Sequence, residues 1–243
     1  MKRTLIGQLR LARKHFVTTA SIILGGGLFG TLLFELIMRL EEVHDEAPTT
    51  FEMAFFIAFI CYIINFFGYG ISGVNQSFNQ VVGMGCTRKN FFIGHSLTCL
   101  LNSLVGAATL MLVYVTEHWR LRAWWSAFPC ETDFLSFVTP GLACFIILAL
   151  AVFQLFVSFV ILRFEKKAFW VFWALWMFGC LVVPRIIDDV TDGKQSALAK
   201  LGNFAIDAAT SIPAGTWLII GSVITLGMYA VSYFGFKRQH VTV

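Results

Sequence analysis

Hydrophobic positions along this chain fall into long continuous blocks separated by short polar stretches. Six blocks stand out, at about 17–38, 51–71, 91–115, 134–162, 168–183 and 214–236. Most are close to the roughly 20 apolar residues that a helix needs to cross a bilayer core. The fifth is short and the fourth long, so tilt or a break is expected in each. None alternates with the two-residue period of a membrane barrel. The pattern predicts an all-α polytopic membrane protein of about six transmembrane helices. The first block is longer than the apolar region of a cleaved signal and runs into Phe34-Glu35-Leu36, so it is expected to be a retained span.

Composition agrees, because charged residues are 13% of the 243 and hydrophobic residues 58%, whereas a soluble domain carries about a quarter of its residues as charges. The sign of the charges gives orientation. With the first connector outside, 12 of the 18 Lys and Arg face the cytoplasm, among them Lys2, Arg3, Arg10, Arg13, Lys14, Arg88, Lys89, Lys237 and Arg238. Only Glu165 of the 14 acids falls on that side. Both termini are then cytoplasmic. The net charge of +4 is a topology signal, and without a basic groove interleaved with aromatics it gives no support for nucleic-acid binding.

The whole of 1–243 is expected to form one membrane domain. Residues 1–16 place Leu5, Leu9, Ala12 and Phe16 at helical spacing and basic residues around them. That predicts an interfacial helix lying on membrane lipids. Arg10, Arg13 and Lys14 on its polar face are either a topology anchor or a surface for a cytosolic partner. The cytoplasmic segment 72–90 is polar near Asn75 to Gln80 and is broken by Gly83 and Gly85. It predicts a short helix from Ser77 to Val82, a glycine turn, and Thr87 capping the third span. Arg88 and Lys89 then sit in the first turn of a helix, where the macrodipole disfavours cations. Anionic headgroups or an acidic groove on a partner would favour them there.

The run Gly85-Cys86-Thr87-Arg88-Lys89-Asn90-Phe91-Phe92-Ile93-Gly94 resembles the G-x-T-R-K-x-F-F-x-G signature that follows the second span in bacterial ATP-binding-cassette permeases of the type-2 exporter group. The six-span plan, the basic N-terminal helix and a long outer connector before the last span are similar too. The resemblance implies that this loop docks on a cytosolic ATPase. Gln76, Phe78 and Asn79 would lie in the coupling helix, Gly83 and Gly85 in its turn, and Thr87, Arg88 and Lys89 at the anchor of the third span. It also implies a second permease, identical or related, in the bacterial plasma membrane. The chain has no G-x-x-x-x-G-K-[S/T], so no cofactor is expected on it. ATP and Mg²⁺ would belong to the partner ATPase.

Several residues within the spans have more than one use. Glu35 and Arg39, four apart, can pair on one helical surface or line a substrate route. Asn65 and Gln154 can line a cavity or hydrogen-bond between helices. Gly26-x-x-x-Gly30 permits close helix packing, within the subunit or against a second permease. Trp119, Trp124 and Trp125 with Arg120 and Arg122 mark a membrane interface. The outer connector 184–213 carries Asp188, Asp189 and Asp192, which lack calcium-loop spacing. Its Leu198, Leu201, Ala205 and Ala208 mark a short helix, which in the resembling family is often re-entrant. The six cysteines show no paired spacing and no metal pattern. No H-E-x-x-H and no G-x-S-x-G supports an enzyme. The expectation is a permease subunit for an amphiphilic lipid, peptide or antibiotic. A non-transporting membrane sensor or interaction protein is the alternative.

Overall fold

The computed structural model describes residues 2–40, 52–83, 85–124, 139–164, 166–191 and 196–238. They form seven helices, and no strand occurs among the described residues. These are α1 (Lys2–Leu40), α2 (Met53–Gly83), α3 (Arg88–Trp124), α4 (Pro140–Phe164), α5 (Lys166–Thr191), α6 (Ala197–Ser211) and α7 (Ala214–Arg238). Five contain stretches long and apolar enough to cross a membrane, at Gly7–Ile37, Arg88–Leu121, Pro140–Phe164, Trp170–Thr191 and Gly215–Arg238. The apolar part of α2, Met53–Gly68, is shorter. The chain is an all-α, multi-pass membrane protein.

Three differences from the sequence expectation follow from packing. α1 runs unbroken from Lys2 to Leu40, so residues 2–16 are continuous with the first span and not a separate helix. Ala12 is buried, and the space a side chain would need at Gly94 of α3 is taken by the Gln8 amide. That close approach packs the start of α1 against α3. Likewise, 77–82 is the last part of α2 and not a separate helix. Val74, Phe78 and Val81, at helical spacing, bury one face of the extension. Finally, α5 continues through Pro184 to Thr191. Proline removes one backbone hydrogen bond there, a loss that membrane helices tolerate.

The two larger apolar clusters among the described residues organise the interior. One joins α1, α2 and α3 through Ile23, Ala54, Ala58, Tyr62, Phe66 and Val113. The other gathers Phe78, Phe91, Phe92, Leu155 and Leu162 around Phe236 of α7. α5 and α6 form an outlying pair, held where Gly202 admits Val190 and Ile186. Ser196 caps α6 by accepting the Ala199 N–H at 2.9 Å while donating to Asp189 at 2.7 Å. Asp189 is thereby engaged as a structural acceptor. Asp192 and the segment 125–138, with Trp125 and Cys130, lie outside the described residues.

Candidate functional site

The corner between α2 and α3 is built by local chemistry. The carbonyls of Val81 and Val82 accept N–H bonds from Cys86 at 3.2 Å and Gly85 at 3.0 Å. This is the paired closure of a Schellman motif, with glycine in the left-handed position it requires. Gly85 has φ +86°, and no atom stands within 4 Å of where a Cβ would be. Gly85→Ala should therefore cost only its backbone strain, about 1–2 kcal/mol, read as a lowered melting temperature with the helices intact. Thr87 caps α3, accepting the Asn90 N–H at 3.3 Å on its hydroxyl and the Phe91 N–H at 3.0 Å on its carbonyl. Partial burial pushes the Cys86 thiol above its ordinary value, so it stays neutral at pH 7.

Arg88 has a partner that sequence spacing did not offer. Its Nη1 donates to the Lys237 carbonyl at 3.4 Å, at the negative end of α7. A cation that is unfavourable at the start of one helix is thus placed against the C-terminus of another. Lys89, Gly83, Gly85 and Thr87 are exposed, and Asn79 is half-buried. Gln76 belongs to α2. Phe78 is in the interior, not on the docking surface expected of it, with its ring edge-on to Phe91 at 5.1 Å and 6.3 Å from Phe236. Phe236 also meets Phe92 at 5.8 Å and Phe159 at 6.1 Å. One aromatic knot thus joins four helices behind the exposed corner. On α1, Arg10, Arg13 and Lys14 are exposed, leaving a basic strip free beside this end of the bundle.

The residues proposed from sequence to line a route are not brought together. Asn65 Nδ2 donates to Thr19 Oγ1 at 2.9 Å, and that hydroxyl donates to Asn102 Oδ1 at 3.0 Å. The chain ties α2 to α1 to α3. Gln154 is wholly buried in α4, and neither of its amide atoms has a partner among the described residues. Glu35 pairs not with Arg39, which is exposed, but with Arg120 of α3 at 3.0 Å. None of the three lines the cavities of about 370 Å³ (between α1 and α3) or 720 Å³ (between α2, α4 and α5). The larger is apolar, walled by Phe67, Phe153, Phe156, Phe172, Trp173 and Trp176 between α2, α4 and α5.

Gly26 and Gly30 pack within the subunit. A Cβ at Gly26 would meet Cys61 Sγ at 2.8 Å, and one at Gly30 would meet the Ala54 Cα at 2.6 Å, both on α2. Sequence reasoning missed Glu117. It is 3% exposed, and its two carboxylate oxygens accept the N–H groups of Ala54 and Phe55, each at 2.8 Å. It caps α2 from α3; the adjacent His118 has its Nδ1 3.7 Å from Glu52 Oε1. A glutamate two residues beyond the third apolar block was the available signal. Comparison of the chain with protein-family models, curated proteins and solved structures finds no match.

Proposed function

We propose that the chain is the membrane-spanning subunit of an ATP-driven exporter in the bacterial plasma membrane. Energy would come from cassette ATPases on separate chains, which carry the ATP and Mg²⁺, and a second permease, identical or related, would complete the pathway. The observation that supports this most is the α2–α3 corner. It presents an exposed polar tip at Gln80, Gly83, Gly85 and Lys89, backed by Phe78 and the Phe236 cluster. Such a corner suits force transmission, because aromatic packing is dense and deforms little. The basic strip at Arg10, Arg13 and Lys14 would add a second contact to the same partner. The aromatic cavity between α2, α4 and α5 suits the apolar part of an amphiphilic cargo.

The reading is tested by purifying the tagged chain from its own membranes. A Walker-motif ATPase should copurify, and Gln80→Arg with Lys89→Glu should reduce its recovery about tenfold, as loss of interface contacts does, while the chain's own melting temperature holds. An ATPase-free preparation from native membranes would overturn ATP-driven transport and favour a membrane interaction protein.

A further inference from the structure

Two dibasic pairs, 149 positions apart in the chain, meet at one end of the bundle. Arg88 and Lys89 open α3, and Lys237 and Arg238 close α7. Aromatic packing holds the two helix ends together, with the Phe92 ring 5.3 Å from Tyr233 and 5.8 Å from Phe236, and Arg88 Nη1 reaches the Lys237 carbonyl at 3.4 Å. That carbonyl supplies no countercharge. Among the described residues no carboxylate pairs with any of the four cations. Glu35, Glu52 and Glu117 gather around Arg120 and His118 at the far end of α3, too distant to offset the patch. Lys89, Lys237 and Arg238 are exposed and Arg88 is half-buried. Like charges held side by side repel, so the patch favours an anion from outside the described fold.

Depth and the neighbouring surface identify its source. Arg88 begins one stretch of membrane-spanning length and Arg238 ends another, which puts the cations at the headgroup level of one leaflet. Val231, Phe234 and Arg238 share one face of α7 by their spacing of i, i+3 and i+7. Val231 is 51% exposed and Phe234 58%. The cationic end is thus continued toward the bilayer interior by an exposed apolar strip, which matches a molecule with a charged head and an oily tail. An acidic segment of a soluble protein would meet the cations but not the strip.

We propose that the seam between α3 and α7 binds an anionic phospholipid, with its phosphate among Arg88, Lys237 and Arg238 and an acyl chain along Phe234 and Val231. Lys89 adds positive charge from the first turn of α3. A headgroup of net negative charge is selected over a zwitterionic one, whose ammonium the four cations repel. The site stands whether or not the chain transports anything.

Native mass spectrometry of the delipidated full-length protein tests it, titrated with phosphatidylglycerol and with phosphatidylethanolamine of the same chains. Phosphatidylglycerol should bind about tenfold more tightly, as expected where several basic residues surround one headgroup. Lys237→Gln with Arg238→Gln should erase most of that preference. Both side chains are exposed, and the carbonyl that Arg88 uses is backbone, so the fold survives the change. Arg185→Gln with Lys200→Gln, which removes two exposed cations on α5 and α6, should leave the preference intact. Phe234→Ala should weaken both lipids alike. Equal binding of the two lipids by the native protein, or the same loss in both double variants, would overturn the proposal. Displacement of phosphatidylglycerol by millimolar inorganic phosphate, with Phe234→Ala without effect, would reassign the patch to a small anion and also defeat it. An intact lipid preference in Lys237→Gln/Arg238→Gln, with loss of a copurifying ATPase, would instead give the patch to a protein partner.

Discussion

Glu117→Ala is expected to be among the most destabilising single substitutions in this chain, at roughly 3 kcal/mol or more. Two charge-assisted hydrogen bonds, each worth about 1.5–3 kcal/mol, would be lost, leaving the Ala54 and Phe55 N–H groups without their acceptor. No water reaches this buried helix start at low cost, since Ala54 is 1% exposed. Glu117→Gln keeps one acceptor oxygen and should fall between. Glu35→Ala gives the contrast. That carboxylate is 37% exposed, and breaking such a pair typically costs about 1 kcal/mol or less. Unfolding in mixed micelles with increasing denaturing detergent, followed by circular dichroism, measures all three. Equal stability of Glu117→Ala and Glu35→Ala would show that the carboxylate does not hold α2.

The second large effect is expected at Gly30. An added methyl would meet the Ala54 Cα at 2.6 Å, the Met53 carbonyl oxygen at 2.9 Å and the Ala54 nitrogen at 3.2 Å. All three are backbone atoms, so relief requires α1 and α2 to separate. Gly30→Ala should lower stability by about 1–3 kcal/mol, the usual range for overpacking, and Gly30→Val by more. Gly26→Ala should cost less, because the first atom met is the Cys61 sulfur at the end of a side chain. Gly25→Ala meets nothing within 4 Å and should be neutral or slightly stabilising, since alanine favours a helix by about 1 kcal/mol over glycine. The same unfolding assay ranks the three. A flat ranking across Gly25, Gly26 and Gly30 would contradict the close α1–α2 contact.

Both sites show what the sequence could and could not disclose. The spans were legible because an apolar run of bilayer length needs no knowledge of its neighbours. The turn at Gly85 and the cap at Thr87 were legible for the same reason, since each is satisfied within a few residues. The Gly26/Gly30 spacing announced a close contact without naming its partner. Glu117 was missed because the groups it serves lie 63 and 62 positions away. Glu35 was matched to Arg39, its neighbour in sequence, whereas its partner is 85 positions distant. The polar run from Asn75 to Gln80 suggested a break from the second span. Polar residues do not interrupt a helix, however, when Val74, Phe78 and Val81 give it a face to bury.

The bonds from Asn65 to Thr19 and on to Asn102 restrict how the molecule can move. Side chains on three rods meet at one shared hydroxyl, so no rod can spin about its own long axis without breaking a bond deep in the bundle. Motion that preserves the link must carry α1, α2 and α3 together as a single tilting block. Bending is then left to the other helices, above all to the outlying pair α5 and α6.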